Sequence, residues 1–254
     1  MMISKNQLKE VRQLELKKFR TANGLFVAEG PKVVGDLLAV MPARQVFATP
    51  EWNPPHSCDR LVRISQEELH KLSFLQHPQQ VIALFPIPLS SDHEVDELCD
   101  TARRELIMAL DGVQDPGNLG TIIRLCDWFG ITRLVCSNDT ADAFNPKVVQ
   151  ATMGSIARVR VTYTDLPTLC ERMGTQTPIY GTLLDGDNLY STPLSTHGMI
   201  VMGNEGKGSS PSMRGKITHR LRIPSYPPCR DTADSLNVAM ATGIVCAEFR
   251  RRNQ

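Results

Sequence analysis

In the second half of the chain, short apolar runs alternate with helical patterns. This alternation constrains the fold more than any other feature. Leu106–Leu110, Ile131–Cys136, Arg158–Val161, Ile179–Leu184, Met199–Met202 and Leu221–Ile223 are each of strand length. Between them lie stretches of helical periodicity. Residues 118–129 carry Ile122, Ile123, Leu125, Cys126 and Phe129 as an apolar face, and a long helix is expected from Ser235 to Phe249. Strands alternating with helices predict an α/β domain whose mostly parallel sheet is covered on both faces.

A smaller α/β unit precedes it. Residues 4–19 read as one amphipathic helix with Leu8, Val11, Leu14 (or Leu16) and Phe19 on one side. Leu25–Ala28, Val46–Ala48 and Val81–Phe85 read as strands. Pro31 suits the first turn of a helix, and Ser65 followed by Glu68 makes a capping-box pattern for another that runs to about Leu75. Pro86-Ile87-Pro88 breaks the pattern, and a polar, acidic stretch follows through Asp100. The expected organisation is a domain over 1–85, a linker over 86–103 containing a short helix, and a second domain over 104–254.

The 254 residues suffice for two cored domains. A net charge of +1 gives no global field of the kind that marks a nucleic-acid binder. Charge is uneven, however. Lys5, Lys9, Arg12, Lys17, Lys18 and Arg20 crowd the start, and Arg250, Arg251 and Arg252 lie close to the end. Such clusters either attract phosphates or form a solvated helix face and a polar tail. Seven cysteines include no Cys-x-x-Cys pair, so a reduced, cytoplasmic protein without a zinc site or disulfide framework is expected. Cys126 and Cys246 fall in apolar helical patterns, where a thiol acts as a small buried hydrophobe. The polar N-terminus does not read as a signal peptide, and no apolar run reaches membrane-spanning length.

Three patches join turn residues to polar groups at strand ends or helix starts, where α/β proteins place ligands. The first is Asp115-Pro116-Gly117-Asn118-Leu119-Gly120 with Arg124. Backbone N–H groups at such a helix start can hold an anion. Asn118 reads equally as an N-cap. Arg124 lies among Ile122, Ile123, Leu125 and Cys126, which suggests a half-buried, oriented guanidinium, against a plain surface or ion-paired arginine. The second patch is Gly203-Asn204-Glu205-Gly206-Lys207-Gly208. Its outer glycines have P-loop spacing, but Ser209 occupies the lysine position and Lys207 comes too early, before the second glycine, which argues against nucleotide hydrolysis. What remains is a glycine-bracketed loop that lets backbone approach a ligand closely, with the single carboxylate Glu205. The third is Ser235-Leu236-Asn237-Val238, in which Ser235 is a candidate cap and Leu236 is expected to face inward.

Taken together these runs resemble the three motifs of the SpoU (TrmH-like) ribose 2′-O-methyltransferases. Leu110 through Arg124, with Phe129-Gly130, looks like motif 1; Gly203-Asn204-Glu205-Gly206 looks like motif 2; Ile223-Pro224 with Ser235-Leu236-Asn237-Val238-Ala239 looks like motif 3. Phe19-Arg20, Phe26-Val27-Ala28-Glu29-Gly30 and Pro31-Lys32 resemble that family's L30e-like RNA-binding domain. Two departures stand out. The segment between Ile223 and Leu236 is longer than the family's compact form and holds Pro227, Pro228 and Cys229, and Asp234 stands where many members have Glu.

The resemblance implies a C-terminal domain tied in a deep trefoil knot, a homodimer, and S-adenosylmethionine as cofactor. Leu183, Gly203, Ile223 and Leu236 would line its pocket by position, and no metal is implied. Arg124 would act on the ribose hydroxyl with Asn118, Glu205, Ser235 and Asn237 around it, Glu205 ordering its loop or pairing with Arg124. Arg20 and Lys32 are the implied RNA contacts. Ribosomal RNA is the expected substrate, with transfer RNA the alternative. A non-catalytic RNA-binding protein is the rival class. A dead methyltransferase domain would tend to lose Asn118, Arg124, Glu205 or Asn237, and all four are present.

Overall fold

The structure, a computed structural model, describes residues 3–89, 93–227 and 233–252. In chain order the elements are α1 (Lys5–Gln13), α2 (Lys17–Asn23), β1 (Leu25–Glu29), α3 (Pro31–Leu38), β2 (Gln45–Ala48), β3 (Leu61–Arg63), α4 (Gln66–Leu72), β4 (Val81–Pro86), α5 (Glu94–Ala102), β5 (Leu106–Asp111), α6 (Pro116–Trp128), β6 (Arg133–Cys136), α7 (Pro146–Ala151), β7 (Arg160–Tyr163), α8 (Leu166–Met173), β8 (Ile179–Asn188), β9 (Gly198–Gly203), α9 (Pro211–Arg214), β10 (His219–Arg222) and α10 (Val238–Arg251). A 3₁₀ turn, Ser155–Ala157, follows α7.

The chain divides into two compact units, the first made of residues 1–89 and 142–157 and the second of 90–141 and 158–254. In the first, four strands form a sheet in the order β1-β4-β2-β3, with β1 and β2 antiparallel to β4 and β3 parallel to β2. Period-two alternation sorts its side chains. Phe26, Ala28, Ala83 and Phe85 face the cluster that holds Val33, Val34 and Leu37 of α3, while Val27, Ile82 and Leu84 face Val11, Leu69 and Leu72 of α1 and α4. The excursion 142–157 joins the first of these layers through Val149 and Ile156, and Phe144 lies 5.0 Å from Phe26 between ring centroids.

Two local readings change here. The single helix expected over 4–19 is two helices, with Leu14 closing α1, because Leu14 and Val11 are buried while Leu16 turns outward. The capping box at Ser65 and Glu68 forms, but α4 ends at Leu72. The short β3 has half-exposed residues and no apolar run to announce it.

The second unit holds six parallel strands in the order β10-β8-β9-β5-β6-β7. The central β5 and β9 are buried nearly throughout, as a sheet covered on both faces requires. Ile107, Ala109, Met199 and Val201 pack with Leu166, Leu169 and Met173 of α8. The stretch read as a linker carries α5, whose Leu98, Cys99 and Ala102 belong to this same core. Helix α10 packs against α6. Cys126 and Cys246 are fully buried and unpaired, and burial pushes the Cys246 thiol up to about 12. Among the described residues no helix is long and apolar enough to cross a membrane.

Candidate active site

The site is built at the C-terminal ends of β5 and β9, two adjacent parallel strands. Strand β5 ends at the buried Asp111, whose Oδ2 accepts from Ser210 N at 2.6 Å. Gly112 follows with φ +75°, a backbone that favours glycine. Its N–H donates to Ser137 Oγ at 2.9 Å and its carbonyl accepts from Asn204 Nδ2 at 2.7 Å. The chain then enters α6 with Asp115 as N-cap, accepting from Asn118 N at 2.7 Å, and Pro116 in the first turn. Asn118 is therefore not the cap. Asp115 does that work, and the Asn118 carboxamide is left for other partners.

Strand β9 ends at Gly203, where an added Cβ would lie 2.5 Å from backbone atoms of Gly208 and Ser209. The loop beyond is a tight hairpin. Asn204 and Gly208 exchange backbone hydrogen bonds at 3.0 and 2.8 Å, and Asn204 Oδ1 accepts from Gly206 N and Lys207 N. Asn204 thus shapes its own loop and ties it to Gly112. This role was not among those expected of the second patch. The available signal was Asn-x-Gly, in which an Asn side chain bonds the backbone two residues on.

The third patch contributes Asn237, the N-cap of α10, with Oδ1 accepting from Ala239 N at 3.0 Å and Met240 N at 3.2 Å. Those donors occupy the carbonyl end of its amide, so Nδ2 points away and donates to Asn118 Oδ1 at 3.0 Å. That in turn aims Asn118 Nδ2 at Glu205 Oε1, 2.6 Å away. One residue from each patch therefore joins a directed chain from a helix start to a carboxylate. Its only charged member, Glu205, is half-buried.

Other expectations need correction. Arg124 is exposed, and among the described residues its side chain makes no hydrogen bond or ion pair. Its apolar sequence neighbours point elsewhere, since successive helical residues diverge by about 100°. Glu205 pairs with Asn118 rather than with Arg124. Ser235 is exposed and does not cap α10, which begins three residues later with Asn237 as its cap. Leu236 is 50% exposed rather than turned inward, because it precedes the helix and has no core above it. Pro228 and Cys229 lie outside the described residues.

Leu183 is buried on β8, Gly203 closes β9 and half-buried Ile223 follows β10, so these three come from neighbouring strands. Ser209 Oγ, beside Gly208, is buried and has no hydrogen-bond partner among the described residues.

In the first unit Arg20 is 2% exposed. It donates to the carbonyls of Leu14 and Glu15 at 2.7 Å each and pairs with Asp142. A guanidinium enclosed in this way cannot meet RNA. Lys32 is exposed, with its ammonium on Asp36 one helical turn away. The arginines near the end are also engaged within the fold. Arg250 donates to the carbonyls of Phe129 and Gly130, while Arg251 and Arg252 pair with Glu248. They are not a free phosphate-attracting tail.

Residues 105–247 match the SpoU rRNA Methylase family, and residues 5–83 match the MRM3-like substrate binding domain. The 23S rRNA (guanosine(2553)-2′-O)-methyltransferase RlmP of Bacillus subtilis is 31% identical over 97% of this chain and 97% of its own. A protein of known structure from Porphyromonas gingivalis, assigned to the TrmH family of RNA methyltransferases, superposes with a TM-score of 0.86 at 39% identity, over 99% of this chain and all of that one. The AdoMet-bound rRNA methyltransferase of Sinorhizobium meliloti superposes with a TM-score of 0.83 at 28% identity, over all of this chain and 98% of that one.

Proposed function

The chain belongs to the SpoU rRNA methylase family, and from that premise we propose that it methylates a ribose 2′-hydroxyl in structured RNA, with ribosomal RNA as substrate. Its fold is the α/β SpoU/TrmH methyltransferase fold with a parallel sheet and an N-terminal substrate-binding domain, and its methyl donor is S-adenosylmethionine. The observation that carries the proposal is the chain Asn237–Asn118–Glu205, which unites three sequence patches nearly 120 residues apart.

The residues present suit the donor. Leu183, Gly203 and Ile223 edge three neighbouring strands, and Leu236 offers a half-exposed apolar side chain nearby in sequence to the α10 cap. At Gly203 the absence of a Cβ lets two backbone segments meet, and unpartnered Ser209 Oγ lies just past that loop. These four residues would hold the cofactor, largely through backbone and apolar contact. When bound, S-adenosylmethionine supplies an electrophilic methyl group on a good leaving group.

The chain's own residues then have to position the hydroxyl and manage its proton. Arginine, with a pKa above ~12, is a poor base. Arg124 is therefore assigned to orienting the hydroxyl and stabilising the developing alkoxide charge, a role that its exposed, unengaged guanidinium leaves open. Asn118 and Asn237 hold the ribose side of the site rigid and Glu205 fixes the motif-2 loop against α6, while Ser235, two residues before Asn237, is assigned as a hydroxyl contact.

Residues 1–85 are assigned to RNA binding as an L30e-like domain, with Lys32 as a contact, and 104–254 to catalysis, with a trefoil knot in its C-terminal part. A homodimer is proposed with α10 in its interface. Exposed Met240 and exposed Ala247, two turns apart on that helix, support that placement.

Incubating the purified chain with methyl-labelled S-adenosylmethionine and either ribosomal or transfer RNA tests the proposal. Label in ribosomal RNA, lost in Arg124→Ala while calorimetric cofactor affinity persists, is expected. Normal turnover by Arg124→Ala would remove that residue from the mechanism, and label in transfer RNA alone would reassign the substrate.

A further inference from the structure

Strand β8 is not continuous along its partner β10. Tyr180 and Gly181 pair with His219 and Arg220, yet the next β10 residues, Leu221 and Arg222, pair with Asp187 and Asn188. Residues 182–186 therefore bulge out opposite a bond between two consecutive residues. Leu183 lies within that bulge. Gly186 closes it against the β10 backbone, where an added Cβ would sit 2.6 Å from Leu221 C. Over these five residues the β10 ladder does not dictate the direction of the side chains, Leu183 included.

The downstream end of the bulge runs into a compact turn at 188–192. Asn188 O accepts from Ser191 N and Thr192 N, and Leu189 N donates to Arg222 O at 2.9 Å, next to Ile223. Three carbonyls of this turn converge on one guanidinium. Arg252 donates to Thr192 O at 2.6 Å, to Leu189 O at 3.2 Å and to Tyr190 O. Its Nε donates to Glu248 Oε1 at 2.6 Å, which orients the fork. Glu248 is itself 5% exposed and also holds Arg251.

We infer that Arg252 is a positioning residue for cofactor binding, clamping the turn that fixes both the Leu183 bulge and the start of the Ile223 segment. The inference rests on the assignment of Leu183 and Ile223 to the cofactor pocket. Arg252 bonds to the turn rather than to Leu183 or Ile223, so its effect is carried through the backbone. A planar fork with several donors suits three carbonyls and a carboxylate, which a lysine cannot reproduce.

The test uses the full chain, calorimetric titration with S-adenosylmethionine, and steady-state kinetics with each substrate varied in turn. For Arg252→Ala, cofactor affinity is expected to weaken and its KM to rise by about tenfold, while kcat at saturating cofactor and KM for RNA stay within about twofold. Arg252→Lys is expected to recover only part of the loss. Unchanged cofactor affinity in Arg252→Ala overturns the inference, whatever happens to its thermal midpoint. Should that variant not fold, Glu248→Gln keeps the guanidinium but loosens its anchor, and unchanged cofactor affinity there overturns the inference equally. Leu183→Ala separates the two layers. If it weakens the cofactor and the Arg252 variants do not, only the positioning role fails. If neither does, the pocket assignment fails with it.

Discussion

Asn118 Nδ2 donates to Glu205 Oε1 at 2.6 Å, across 87 residues of sequence. The direction of that bond is inherited from the α10 cap. Asn237 Oδ1 is taken by two backbone donors, so its amide presents Nδ2 to Asn118, which must present its own Nδ2 to the carboxylate.

That inheritance yields a variant that separates capping from site order. Asn237→Asp keeps a good N-cap but removes the donor to Asn118. Thermal stability is expected to hold within about 1 kcal/mol, while methyl transfer falls by about a hundredfold, as when a positioned polar group at a reacting centre is lost. Circular dichroism melting and labelled-methyl assays read the two effects separately. Wild-type turnover in Asn237→Asp would show that the chain of amides has no catalytic role.

Apart from β3, the strands of both sheets were legible because buried strands read as apolar runs, and their ends moved by only a few residues. Helix ends were less legible. Asp115, Asn118, Ser235 and Asn237 are all good cap residues, and only the backbone course decides that Asp115 and Asn237 serve. Arg20 misled for a different reason. A basic residue in an amphipathic segment reads as exposed, yet its partners Leu14 O, Glu15 O and Asp142 come together only in the fold. The excursion 142–157 was invisible for the same reason, since nothing local says which of two sheets an apolar face will cover.

Replacing Arg20 tests that correction. Arg20→Ala leaves Asp142 and two carbonyls without their buried cation, a loss of about 3–5 kcal/mol. Denaturant unfolding should show this cost, while RNA affinity of the folded fraction stays unchanged. A stable Arg20→Ala with selectively weakened RNA binding would restore it as a contact.

The cofactor loop makes a steric prediction. A Cβ at Gly203 would stand 2.5 Å from the Gly208 and Ser209 backbone, so Gly203→Ala must push the hairpin off β9. S-adenosylmethionine affinity is expected to drop by at least tenfold in calorimetry, with the melting midpoint lowered less than a core truncation would lower it. Retained affinity would separate the loop from the cofactor.

Acid sensitivity should follow Glu248. Its hydrogen bonds and ion pairs with Arg251 and Arg252 hold its pKa at about 2, below the ordinary 4.5. A depressed folded-state value means that this stabilisation is complete above the unfolded pKa and is lost as pH falls from about 4.5 towards 2. Melting midpoints across that window should fall more steeply for the unmodified chain than for Glu248→Gln, which starts lower by about 2 kcal/mol. Parallel curves would show that the cluster adds nothing.

The central claim is methyl transfer to a ribose hydroxyl, and nucleotide-resolution mapping of 2′-O-methylation on total RNA, with and without this protein, tests it most directly. The expected result is loss of a single 2′-O-methyl mark in ribosomal RNA, restored by the unmodified chain and not by Arg124→Ala. Loss of a base methylation instead, or an unaltered methylation map, would contradict it.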